Sequence, residues 1–213
     1  MIKNKFLYIF LLIIFTNNIS LASGINEAES YIKNLANKIY KIASNQDKEL
    51  NEIRAELASE IKKNLNVSWT AKFVLGETWQ KISKEEQNEF TQIFEDYLIY
   101  NYAPKFHGYK GEEFQIIATK ILAPSKFASS INVKINSGTI VNLVIYFMEE
   151  NNQFSVVDIA AEGISFAATQ NMEFSSMIAL SGFTKFIAEL EGKVYELKKS
   201  SGLKTLEAVS PKQ

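Results

Sequence analysis

The hydrophobic period of this chain changes twice along its length. Apolar residues recur at helical spacing at Ile32, Leu35, Ile39 and Ile42, and again at Leu50, Ile53, Leu57 and Ile61 after a polar break at Ser44-Asn45-Gln46-Asp47. This predicts two short amphipathic helices, the second capped by Asp47, with lysine and glutamate on their outer faces. A third apolar piece, Trp69 to Leu75, ends at Gly76, a residue suited to a left-handed helix terminus. Trp79 follows. Ser83-Lys-Glu-Glu86 then has the form of a capping box ahead of the broad stripe Phe90, Ile93, Phe94, Tyr97 and Leu98, which Pro104 stops.

From Glu113 the period becomes two. Phe127, Ile131, Val133 and Ile135 alternate with Ala128, Ser130, Asn132 and Lys134, as in a half-exposed strand. Turn residues at Pro124-Ser125, Asn136-Ser137-Gly138 and Glu149-Glu-Asn-Asn152 separate four strands, at about 113–122, 127–135, 139–148 and 153–160, and no helix interrupts them. An antiparallel meander is therefore expected, and with it an α+β fold in which helices pack on one curved four-stranded sheet. The third strand is apolar on both faces: Val141, Leu143, Ile145 and Phe147 on one, Ile140, Val144, Tyr146 and Met148 on the other. Both faces should leave water.

Helical spacing returns after Gly163 in Phe174, Met177 and Ile178, with Gly182 closing that element. A final stripe, Phe183, Phe186, Ile187, Leu190, Val194 and Leu197, is expected to kink at Gly192. The polar tail 200–213 is expected to be poorly ordered. At the other end, Lys3 and Lys5 precede the apolar run Phe6 to Phe15, too short to span a bilayer, which needs about 20 residues. Ser20-Leu21-Ala22 follows with small residues where a signal peptidase inspects, so residues 1–22 read as a cleaved secretory signal and 23–199 as the working domain.

Charge and composition narrow the chemistry. Without Lys3 and Lys5 the 23 basic residues become 21 against 24 acidic ones, a formal charge of −3. Arg54 is the only arginine, so bidentate readout of guanine or phosphate is nearly unavailable and no nucleic-acid partner is expected. The absence of cysteine leaves no disulfide and no lipoprotein anchor, so an exported chain must rest on its core.

One stretch, Asp158 to Gln170 (DIAAEGISFAATQ), comes within a residue of the G-x-S-x-G elbow of α/β-hydrolases. The elbow ends a parallel strand, whereas this sheet reads as antiparallel. The only histidine available as a base, His107, lies beyond Pro104. The pattern favours a turn at Gly163 with Ser165 capping the next helix, and Asp158 and Glu162 hydrogen-bonded to the turn backbone. Metal ligation lacks the residue count and spacing, no catalytic residue is assigned and no cofactor is expected.

The run Ala71-Lys-Phe-Val-Leu-Gly76 with Trp79, the helix Glu86-Gln-Asn-Glu-Phe90 with Phe94 and Leu98, the segment Tyr102 to Tyr109, and above all Val157-Asp-Ile-Ala-Ala-Glu-Gly-Ile-Ser165 ahead of Asn171 to Phe174 resemble the MlaC, or toluene-tolerance auxiliary, family. The likeness spans about residues 25–198. It departs at Asn171-Met-Glu-Phe174, which lacks the Tyr-Arg pair many members carry there. The resemblance implies a periplasmic phospholipid carrier of a system maintaining outer-membrane asymmetry. It also implies docking to an inner-membrane lipid ABC transporter through its MCE-domain subunit and to an outer-membrane lipoprotein associated with porin.

A carrier makes physical sense. A two-chain phospholipid exposes about 30 methylene and methyl groups, each disfavoured in water by roughly 0.8 kcal/mol, or about 25 kcal/mol in all. A monomer with an apolar cavity is expected, the headgroup near its mouth. Its expected helical lining is Val74, Leu75, Trp79, Phe94, Leu98, Tyr102, Phe166, Phe174 and Ile178, and its expected sheet lining is Val144, Tyr146, Val157 and Ile159. Two rivals belong to other classes: a periplasmic enzyme with a buried polar cluster around Asp158, His107 and Tyr146, and a lipid-free assembly factor with a solid core.

Overall fold

A computed structural model describes residues 17–45, 47–106, 114–134 and 138–201. The first helix among the described residues, α1 (Asn17–Ala43), has 27 residues and is longer than the periodicity suggests. No proline interrupts it, and a lone glycine such as Gly24 disfavours a helix by only about 1 kcal/mol. Residues 17–22 of the expected signal therefore belong to α1, while 1–16 lie outside the described residues.

After a break, α2 (Leu50–Asn64) starts from Glu49 without a side-chain cap. Asp47 is not the cap. It lies too far upstream for its carboxylate to reach the first free amides, and its own N–H donates to Asn45 Oδ1 at 2.9 Å. An ion pair between Lys48 and Glu56 ties the entry to the helix instead.

The chain then builds α3 (Val67–Leu75), the single turn α4 (Thr78–Lys81) and α5 (Lys84–Tyr102). Asn66 caps α3 by accepting the Trp69 N–H at 3.0 Å. The capping box of α5 is complete: Ser83 Oγ accepts from Glu86 N at 3.1 Å and Glu86 Oε2 from Ser83 N at 2.7 Å. Pro104 falls in a 3₁₀ turn, Ala103–Phe106, that extends α5 beyond its last helical residue. His107 lies outside the described residues.

The strands are β1 (Phe114–Ala123), β2 (Lys126–Lys134), β3 (Ile140–Glu150), β4 (Gln153–Ala161) and the two-residue β5 (Ile164–Ser165). They pair in sequence order, all antiparallel. The fold is thus α+β on a meander, with one strand more than the periodicity shows, because two residues are too short to display a period. Ser125, Asn151 and Asn152 take φ between 51° and 60° in the hairpin turns, a conformation asparagine tolerates well. Register shifts in β1 and at Val157 of β4 bend the strands.

Both apolar faces of β3 find partners from Leu143 onward, whereas Ile140 at the start of the strand stays 61% exposed. Leu143, Ile145 and Phe147 pack with Phe127 and Ile131 of β2 and Val156 of β4 against Ala28, Tyr31 and Ile32 of α1. On the opposite face, Asn66 at the head of α3 reaches Met148 Sδ (3.8 Å) and Ser155 Oγ (3.3 Å), which places α3 over the Tyr146 and Met148 side. Residues 65–66 also close the edge of β4, through an isolated bridge of Leu65 to Val156.

The last two helices among the described residues are α6 (Phe166–Ser181) and α7 (Phe183–Ser201), the latter continuous through Gly192. Gly182 separates them at φ 80°. Ser200 and Ser201 close α7, so only 202–213 of the expected tail lie outside the described residues. Stacked Phe90 and Phe94 meet Phe174 edge-on, at centroid distances of 6.2 and 6.0 Å, and Phe186 completes this core of α3, α5, α6 and α7. Each phenylalanine so buried stabilises the fold by about 1.5–3 kcal/mol. The lone arginine closes the molecule: Arg54 Nη1 donates to the Ser201 carbonyl at 2.9 Å, satisfying the end of α7.

Candidate functional site

Helical spacing on α3 separates two faces. Thr70, Ala71, Val74 and Leu75 are buried, while Trp69 and Phe73, four residues apart, stack with centroids 5.4 Å apart and an interplanar angle of 12°. The aromatic face does not enter the helical core; Phe73 remains 43% exposed. Thr70 anchors the helix to the sheet by donating to the Val157 carbonyl at 3.0 Å.

Between α3 and the sheet lies a cleft of about 230 Å³. Trp69 and Phe73 form its helical wall, and Leu122, Phe127, Phe147 and Met148 contribute to the sheet wall together with the expected residues Tyr146 and Val157. Ala167 at the start of the helix that follows β5 also lines it. The polar members are Lys126, Asp158 and Ser165.

Asp158 and Ser165 belong to a closed network. Asp158 Oδ1 accepts from the backbone of Ile159 at 2.8 Å and of Ala167 at 2.9 Å, and Oδ2 accepts from Ser165 Oγ at 2.5 Å. Ser165 Oγ in turn accepts the Ala168 N–H at 3.0 Å, capping α6. Glu162 and Gly163 make the turn at φ 50° and 79°, and Glu162 Oε1 receives the Asn142 N–H at 2.6 Å. The Gly163-to-Ser165 stretch is a strand exit and helix cap. Among the described residues no group of three histidine, cysteine, aspartate or glutamate side chains is placed to hold a metal ion.

The other expected site residues are not among those lining this cleft. Val74, Leu75, Phe94, Leu98 and Phe174 are buried in the helical core, with Trp79, Tyr102, Phe166 and Ile178 packed half-buried against it. Tyr102 and Phe166 meet edge-on at 5.2 Å. Val144 is half-buried two residues from Tyr146, and Ile159, paired with Ile145, is 43% exposed. Burial, then the neighbouring Tyr102 and Glu173, push the Tyr97 phenol up to about 12; burial and Glu173 also raise Tyr102.

The structure brings to the cleft Trp69, Phe73, Leu122, Lys126, Phe127, Phe147 and Met148, which sequence reasoning did not select. An available signal was the Trp69–Phe73 spacing itself, aromatic on the side opposite Ala71, Val74 and Leu75. Asn171, where the Tyr-Arg pair is missing, has a role within the fold: its Nδ2 donates to the carbonyls of Phe73 and Val74, both at 3.1 Å, and ties α6 to the end of α3.

Comparison with known proteins gives three findings. No curated protein matches the chain. Among solved structures, a phospholipid-binding protein from Ralstonia solanacearum, determined in complex with a phospholipid, superposes with a TM-score of 0.68 at 18% identity, over 79% of this chain and 97% of that one. At that identity the likeness is one of fold. The model of the MlaC protein family matches residues 31–192, from α1 into α7 and through every strand, and the chain therefore belongs to the MlaC family.

Proposed function

We propose that this protein binds a phospholipid by its acyl chains, with the cleft between α3 and the sheet as the entry, and carries it through the periplasm between the inner and outer membranes. The observation that carries this reading is the apolar cleft under Trp69 and Phe73 in a chain of the MlaC family whose fold matches that of a phospholipid-bound protein. The Asp158 network supports a binding rather than a catalytic reading, because both carboxylate oxygens and the Ser165 hydroxyl already hold the turn.

Pockets for small ligands measure roughly 300–1,000 Å³, and the cleft at about 230 Å³ is below that range. Two acyl chains therefore enter by parting α3 from the sheet and wedging toward the apolar cluster of Phe94, Leu98 and Phe174, which lies behind α3. Those residues then line the lipid together with Val144, Tyr146 and Val157. Exchange occurs with an inner-membrane ABC transporter through its MCE-domain subunit and with an outer-membrane lipoprotein, through weak interfaces that a shuttle can leave.

Native mass spectrometry of the protein purified from cells tests the reading. One phospholipid per chain is expected. Consistent absence of lipid from gently purified protein, with no uptake from vesicles, would overturn it.

A further inference from the structure

The β1–β2 hairpin brings to the cleft one charge that the fold leaves unused. Lys126 is the first residue of β2, registered opposite Met148 of β3, and it lines the cleft beside that residue. Among the described residues its side chain makes no hydrogen bond and no ion pair. The other charged group of the cleft, Asp158, is held by three donors of its own turn. In the adjoining β3–β4 hairpin, Glu150 accepts from Asn66 Nδ2 at 3.4 Å. The cleft thus offers an uncommitted cation at its edge and an aromatic and aliphatic wall, Trp69, Phe73 and Leu122, within. A lysine stem can lie along such a wall while its ammonium stays in water.

We propose that Lys126 receives the phosphodiester of the bound phospholipid and so fixes its orientation, with the headgroup at the β1–β2 turn and the chains passing under Trp69. This rests on the carrier reading above. An ammonium acts as a point charge and demands no bidentate geometry, unlike arginine. It therefore suits the one group common to all glycerophospholipids and leaves the variable headgroup in solvent. Because Lys126 is exposed, the contact is partly screened, and a loss of roughly tenfold in affinity on its removal matches one charge-assisted hydrogen bond.

The test uses fluorescently tailed phosphatidylglycerol, the diacylglycerol and the fatty acid with the same chains, all delivered from vesicles, and inorganic phosphate as competitor. Lys126→Gln is expected to weaken phosphatidylglycerol binding about tenfold and Lys126→Glu further, with diacylglycerol binding unchanged. Lys120→Gln, on the same sheet face but outside the cleft, is expected to alter neither. Millimolar phosphate alone should not displace the lipid, and the fatty acid should bind less tightly than phosphatidylglycerol. An unchanged affinity of Lys126→Gln for phosphatidylglycerol, an equal loss for diacylglycerol, displacement by phosphate, or a fatty acid bound as tightly would each overturn the assignment. Wild-type protein that took up neither diacyl lipid would instead overturn the carrier reading, so the two failures are distinct.

Discussion

Replacing Asp158 with alanine removes the acceptor for two backbone amides and the Ser165 hydroxyl at once. Hydrogen bonds to a charged group contribute about 1.5–3 kcal/mol net, and the amides left behind lose their partners in a half-buried turn. Asp158→Ala is expected to destabilise the fold by about 2–3 kcal/mol in urea titration, and Ser165→Ala, which loses only a helix cap, by about 1 kcal/mol. Lipid uptake by folded Ser165→Ala should equal that of wild type. Loss of uptake with the fold intact would mean that Ser165 contacts the ligand. Sequence alone indicates this turn because Asp, Gly and Ser each have a strong local preference that needs no tertiary information. It could not indicate that Asn171, six residues after the Ser165 cap, reaches across to the Phe73 and Val74 carbonyls, since nothing in the spacing of α6 refers to the end of α3.

Among the elements, α1 and the sheet meet through Tyr31, which lies 5.3 Å from Phe154 and 5.8 Å from Phe147 between ring centroids and donates to Asn64 Oδ1 at 3.4 Å. Burial pushes its phenol up from 10.0 to about 12. A raised phenol pKa means that the folded state holds the proton more tightly than the unfolded chain. The associated stability is complete below about pH 10 and is lost as pH rises toward 12. Melting temperature is expected to fall across that interval, and Tyr31→Phe, which cannot ionise, to flatten the fall; an unaltered slope would show that this joint does not titrate with unfolding. Periodicity made the helices and four strands legible, since each buries one side of itself. It could not say which neighbour each side meets. Val74 and Leu75 are the most apolar residues of α3, yet they face the other helices, and the aromatic pair on the reverse side faces the sheet. The short β5 escaped because two residues carry no period, and the upstream extension of α1 because residues 17–22 read as the end of a signal although Leu21, Ile25 and Ala28 continue the helical spacing of Ile32.

For the whole molecule, a ligand that binds only the folded state stabilises it by mass action, about 2.7 kcal/mol at a hundredfold excess over Kd. For a domain of 150–250 residues each kcal/mol corresponds to about 2–4 °C. Lipid-loaded protein should therefore melt roughly 5–10 °C above delipidated protein, a difference readable by differential scanning calorimetry. Equal melting temperatures for loaded and delipidated samples would show that the lipid adheres without occupying the fold.

The cover that α1 lays over the sheet also dictates an order of events. Ala28 and Ile32 rest on Phe127 and Phe147, so α1 leaves the ribosome ahead of partners about a hundred residues later in the chain and must wait for them. Contacts this distant close slowly. Until β2 and β3 have paired, the apolar stripe of α1 is open to any hydrophobic surface nearby. The nascent chain is therefore expected to depend on a holding chaperone, and deletion of the β2–β3 hairpin to leave α1 chaperone-bound rather than merely unpaired.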